Sequence, residues 1–195
     1  MGRRKLLVLA AGFVALLLFL GHVTGHGQFA PETTPEGAYA RVAFAVAQRR
    51  PRDAFAYLET EAQWASFTTR DLRRKACDRV RATYPNDAAA PLLAAWEDEA
   101  VAPDGPDLFA LLATRRGWIA RLERDLSGAA HVDIQGERAT VVTARGTRYP
   151  FRRRENGIWG MTIFTAELQA EAERAARDLD VVEHAAADYD RSKAP

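Results

Sequence analysis

His131 and Asp133 are the residues whose types and spacing come closest to acid–base chemistry. They stand two apart in His131-Val-Asp-Ile-Gln135, where polar and apolar residues alternate, so a strand sets both on one face. A carboxylate beside an imidazole, joined by the Tyr149 hydroxyl only if the sheet is inverted, can take up and return a proton. The alternation leaves two outcomes. If Val132 and Ile134 turn to the core, the reading favoured by the pattern, His131 and Asp133 face water; with the sheet inverted they line a cavity. Elsewhere reactive groups are sparse. Ser66, Ser127 and Ser192 stand outside any Gly-x-Ser-x-Gly turn, and the chain has no phosphate loop, dinucleotide fingerprint or zinc spacing. The single Cys77 can form no intramolecular disulfide. Among so many bases it is either a reactive thiol or, the favoured reading, a small half-buried helix residue. His22 and His26, four apart, would share a metal only on a continuous helix, which Gly21, Gly25 and Gly27 oppose. No catalytic, cofactor-binding or metal-binding residue is therefore assigned.

The elements that must position these residues begin with an export segment. Residues 6–20 are apolar or glycine throughout, preceded by Arg3, Arg4 and Lys5. That is the pattern of a charged start and a long hydrophobic core. Read on through Val23 the stretch approaches the length needed to cross a hydrocarbon layer of roughly 30 Å. A cleaved signal and an uncleaved anchor are both compatible with it. The anchor is favoured, because the flanking residues make a poor cleavage site and residues 6–24 then insert in the membrane. The three bases keep the N-terminus in the cytoplasm, which puts the body of the chain outside it, in the cell envelope. Of 27 basic and 26 acidic residues, those three bases belong to the leader. The remainder is near neutral, which points away from nucleic acid.

Downstream, residues 28–34 read as a linker and Thr34-Pro35 as a helix start, with Ala38, Tyr39, Val42, Ala43, Val46 and Ala47 on one face. A short helix follows from Pro51, turning Ala54, Phe55 and Leu58 inward. Trp64 and Phe67 are expected in a connection, and Thr68 or Thr69 as the cap of a helix reaching Tyr84. Leu72, Ala76 and Val80 form its buried stripe; Arg70, Arg73, Arg74, Lys75, Arg79 and Arg81 read as a solvated face, or alternatively as a surface for phosphates or anionic lipid. Another helix is expected from Pro91 to Ala100, then a long one from Asp107 to Leu126 ended by Gly128. At His131 the period changes to two. Residues 131–135, 138–144, 147–154 and 158–164 predict a four-stranded antiparallel meander, with Asn156-Gly157 as its clearest turn. Helix returns from Thr165.

This order resembles the nuclear transport factor 2-like, or cystatin-like, cone of exported bacterial type. The resemblance rests on Thr34-Pro-Glu-Gly-Ala-Tyr39, Asp53-Ala-Phe-Ala-Tyr-Leu58, Glu137-Arg-Ala-Thr-Val-Val142 and Asn156-Gly-Ile-Trp159. It implies helices packed in the concavity of an antiparallel sheet, and allows either a binding domain or an isomerase-like enzyme. The expected fold is α+β: an N-terminal membrane or signal helix, a helical half packed on a four-stranded meander, and a long C-terminal helix. Its divisions are 1–27 for the leader, 28–34, 35–165 for the cone-like domain and 166–195 for the last helix. The function expected is non-enzymatic, a membrane-tethered envelope domain binding a protein, peptide or small hydrophobic ligand. The alternative is a small-molecule isomerase or hydrolase using Asp133 and His131.

Two surfaces complete the reading. Arginines 138, 145, 148, 152, 153 and 154 make the third strand and its flanks basic, whereas the last helix is rich in acids, so the two could complement one another within a chain or between chains. Within that helix Leu168, Ala172, Ala175, Leu179, Val182, Ala186 and Tyr189 keep a four–three spacing. Such a seam must be buried, either against the chain's own helical half, which is favoured, or in a homodimer through residues 168–189. Glu173 with Arg177 and Arg174 with Asp178 are expected as four-spaced pairs.

Overall fold

A computed structural model of the chain describes residues 29–193. The leader, 1–27, and with it His22 and His26, lies outside the described residues. Helix α1, Pro35–Ala47, starts as the sequence predicts: the Thr34 hydroxyl accepts the Gly37 N–H at 3.1 Å and Pro35 fills the first turn. Its buried face is Ala38, Tyr39, Val42, Ala45 and Val46; Ala47, expected there, is exposed. Helix α2, Pro51–Ala54, and a 3₁₀ turn, Phe55–Tyr57, bury Ala54, Phe55 and Leu58 as expected.

Trp64 and Phe67 do not lie in a connection. Helix α3 runs unbroken over Thr60–Thr83, and Thr69, expected as a cap, is interior, its hydroxyl donating to the Ala65 carbonyl at 2.8 Å. The stretch Thr60 to Phe67 holds neither Gly nor Pro, and Ala62, Ala65 and Ser66 extend the buried stripe of small residues backwards. Helix α4 covers Asn86–Ala100 with Pro91 inside it, starting earlier than expected because Pro85 caps it in an extended conformation. The single helix expected up to Leu126 is two, α5, Gly105–Arg115, and α6, Trp118–Asp125. Gly117, at φ 70°, breaks it, and an extended Leu126 rather than Gly128 ends α6. Both helices face the same core, so the leucine spacing runs on across the break.

Strands β1 (Ala129–Gln135), β2 (Arg138–Thr143), β3 (Arg148–Arg153) and β4 (Trp159–Met161) form the antiparallel meander in sequence order. The fourth is shorter than its expected span. Helix α7, Thr165–Lys193, is the last element among the described residues. The fold is thus α+β with a four-stranded meander and a long C-terminal helix. Ala139, Val141, Tyr149, Phe151, Trp159 and Met161 point from the sheet into a core completed by α1, α5, α6 and the start of α7. There Trp118 stacks on Phe164 at 5.2 Å. Gly160 allows β4 to pass the 3₁₀ turn, since a Cβ on it would stand 2.5 Å from the Glu59 Cα. Edge strand β1 is largely exposed: Val132 is half-buried and Ile134 is 54% exposed. The alternation assigned its faces correctly, but the core reaches only part of the inner one.

The α7 seam packs along α3 within the chain, with Leu168, Ala175, Val182 and Ala186 fully buried. Of the expected four-spaced pairs, Arg177 reaches Glu173 at 3.9 Å. Arg174 turns back to Glu171 at 2.7 Å, because Asp178 is taken by Arg73.

Candidate functional site

The stretch before α1 is bonded to the domain. Gly37 makes this possible, since a Cβ there would lie 2.0 Å from the Pro31 carbonyl oxygen, so the Ala30-Pro31 backbone can rest on the first turn of α1. Arg41 Nη1 then donates to the carbonyls of Ala30 at 2.7 Å and Gly37 at 2.9 Å. Trp159 Nε1 donates to the Thr33 carbonyl at 3.0 Å, and the Tyr57 hydroxyl to Glu32 at 3.0 Å. These bonds place Phe29 edge-on against Phe44 with ring centroids 5.5 Å apart. The Arg41 guanidinium lies 5.6 Å from the Phe29 ring centre and 5.9 Å from that of Tyr57.

The aromatic pair is a ridge on the outer face of α1, with Phe29 41% and Phe44 50% exposed. A groove of about 510 Å³ lies on one side, where Phe55, Tyr57 and Ala45 are joined by Arg41 and Arg52. On the other side a more apolar groove of about 590 Å³ is walled by Tyr39, Ala40, Ala43 and Leu126. Binding sites of this size are mostly apolar with a few placed polar groups. Arg52 at the rim is fixed by Asp104 at 2.7 Å and Asp107 at 2.9 Å, and these carboxylates raise its pKa. The Asp104 carboxyl is itself held below its ordinary range, chiefly by the Asp107 N–H that it caps.

A second, polar cleft of about 610 Å³ opens where α3 begins, between Glu59, Glu61 and the arginines of β3, with Trp64 67% exposed at its rim. Part of its charge is matched, while Glu137, Arg153 and Glu155 pair with no opposite charge among the described residues. Arg152 lies 3.0 Å from Glu61 and 3.7 Å from Glu59, and the Thr165 hydroxyl donates to buried Glu59. Arg154 donates to the Ala56 carbonyl at 2.7 Å, and burial lowers its pKa. Within the chain, Arg152 of the basic strand meets Glu61 of α3 and its cap residue Glu59, and no acid of α7 pairs with the strand among the described residues.

Three acids of α7 are taken by α3 arginines, while Glu171 pairs with Arg116 beyond α5 and Glu167 with Arg121 of α6. Arg73 reaches Asp178 at 2.6 Å, and Arg79 reaches Glu183 at 3.1 Å and Asp190 at 2.9 Å. Arg73, expected on a solvated face, is buried. His131 and Asp133 are both exposed on β1, opposite Val142 and Thr140. Tyr149 opposes Val141 on the buried side, so the sheet keeps it apart from that pair. Cys77 is fully buried, and burial raises its thiol's pKa. Among the described residues no group of three or more His, Cys, Asp or Glu side chains is placed to hold a metal, and no helix is long and apolar enough to cross a membrane.

Sequence reasoning missed Phe29, Phe44 and Arg41. One signal was present: Phe44 stands on α1 away from its Ala38–Val42–Val46 stripe. Comparison with protein-family models, with curated proteins and with solved structures finds no match to the chain.

Proposed function

We propose that the chain is a non-enzymatic, membrane-tethered envelope domain that binds a small hydrophobic ligand or an apolar peptide side chain at the Phe29–Phe44 ridge. Residues 6–24 are the tether in this reading, and the body of the chain lies outside the cytoplasm. The observation that carries the binding site is the exposed aromatic pair flanked by two grooves, held in place by the Gly37 contact and the Arg41 bonds. The kinship with the nuclear transport factor 2-like cone belongs to the same proposal, supported by α1 packing on one face of a meander. His131 and Asp133 have no part in it.

The neutral fluorescent probe N-phenylnaphthylamine tests the site on the fragment starting at Gln28. Bound emission is expected from the wild type and from His131→Ala/Asp133→Ala, and its loss from Phe44→Ser. A Phe44→Ser fragment that takes up the probe like the wild type would remove the groove as the binding site.

A further inference from the structure

We infer that the Phe29–Phe44 face of α1 docks on the lipid surface of the membrane that holds the chain's N-terminus. The inference rests on the tethered-domain reading above and names the apolar occupant of that site as bilayer lipid. Its first support is reach. Five peptide units separate Thr24, the last residue of the tether, from Phe29, and a chain spans at most about 3.6 Å per residue, so Phe29 lies within about 18 Å of the membrane-embedded end. Because residues 30–34 are bonded to α1, β4 and Tyr57, this short leash holds a fixed face of the domain near the lipid.

That face has the chemistry of an interfacial surface. Its aromatic rings stand outside the core, where the hydrocarbon boundary accepts them, and bases lie beside them for lipid phosphates. Arg41 lies against Phe29, while Arg49 and Arg50 follow the end of α1. Arg49 has φ 55°, with its N–H bonded to the Val46 carbonyl at 2.9 Å and the Arg50 N–H bonded to the Ala45 carbonyl at 2.8 Å. This helix end ordinarily takes glycine, so an arginine there is in a strained backbone conformation. Arg50 pairs with Asp53 at 2.8 Å; Arg49 has no carboxylate partner among the described residues. Arg41 stands 3.9 Å from Glu32, and on α3 Arg73 and Arg79 are committed to acids of α7.

The test uses the full chain in phosphatidylcholine–phosphatidylglycerol vesicles with nitrobenzoxadiazole attached at Phe44→Cys, and in a second variant at Val181→Cys. Cys77 is fully buried and does not compete for the label. Phe44 is half-exposed and Val181 is 65% exposed on α7, so neither change opens the core. Docking is expected to give loss of emission at position 44, and none at 181, when headgroup-nitroxide lipid is included. Unquenched emission at 44 in a chain that resists carbonate extraction overturns the docking; if Phe44→Ser still abolishes probe uptake by the fragment, the groove survives as a site for a soluble ligand or partner. Equal quenching at 44 and 181 overturns the docking as well. Release of the chain by carbonate removes the tether and the docking together.

Discussion

The Tyr149 hydroxyl is buried on the inner face of β3 with no hydrogen-bond partner among the described residues, while the neighbouring Tyr39 hydroxyl donates to the Ser127 carbonyl at 2.5 Å. The rings lie 5.5 Å apart, so the Tyr149 side chain is well packed even though its polar atom is unsatisfied. A buried unsatisfied hydroxyl costs about 1–3 kcal/mol, and removing it without changing the ring recovers part of that cost. Tyr149→Phe is therefore expected to raise stability by about 1 kcal/mol, read as a higher urea midpoint with unchanged slope. Burial pushes the Tyr149 phenol from 10.0 up to about 12, with Tyr39 and Asp125 adding to the rise. A raised folded-state pKa leaves stability intact below the unfolded value and removes it as pH climbs towards the folded one. Stability should fall between pH 10.0 and about 12, and Tyr149→Phe should fall less over that window. Burial also raises Tyr39, Tyr57 and Tyr84, so the variant keeps some alkaline sensitivity. A steeper alkaline loss in the variant would contradict this account.

Three helices meet at Arg73 on α3, whose Nε donates to Glu99 of α4 at 3.1 Å and whose Nη1 donates to Asp178 of α7 at 2.6 Å. Its guanidinium also lies 4.9 Å from the Trp96 ring centre. Glu99 is buried too and keeps a second partner, Arg115, at 3.1 Å. Removing one member of a buried pair leaves the other charge desolvated, at a cost of about 3 kcal/mol. Arg73→Met should therefore lower the melting temperature sharply, and adding Glu99→Gln should restore part of it. Equal melting of the single and double variants would show that the pair is not the cause. Arg73 also marks the limit of what could be read in the sequence. The meander was legible because alternation and Asn156-Gly157 report directly on strand faces and turns. The α7 seam was legible because the four–three spacing describes one face of one helix. Arg73 was not, since a base among five others reads as solvated unless the acids of two distant helices are known to meet it. Gly117 hid for a different reason: one left-handed residue leaves the apolar spacing of α5 and α6 undisturbed. The Phe29–Phe44 ridge needs the chain to fold back over Gly37, a contact no periodicity encodes.

At the scale of the whole molecule the buried apolar residues form two clusters. The larger joins the sheet to α1, α5, α6 and the first part of α7, and it includes Phe109, Phe151, Phe164, Trp118 and Trp159. The smaller lies between the second half of α3, α4 and the later part of α7, where Ala76, Val80, Ala89 and Val182 are buried, flanked by Leu92, Leu93 and Trp96. Burying an alanine removes far less apolar surface from water than burying an aromatic ring, so this end gains much less from the hydrophobic effect. Exposed pairs such as Arg79–Glu183 and Arg81–Glu97 add about 0–1 kcal/mol each and weaken in salt. The α4 end is therefore expected to open locally at a lower free energy than the whole protein, while the α1 ridge stays fixed on the better-packed cluster. Native-state hydrogen exchange at rising urea checks this. Amides of Leu93 to Trp96 should exchange through an opening of lower free energy and smaller urea slope than those of Val42 or Val141, and added salt should lower it further. If α4, α1 and β2 exchange with one common free energy and slope, the two clusters unfold as one unit and the ion pairs at the α4 end contribute more than exposed pairs usually do.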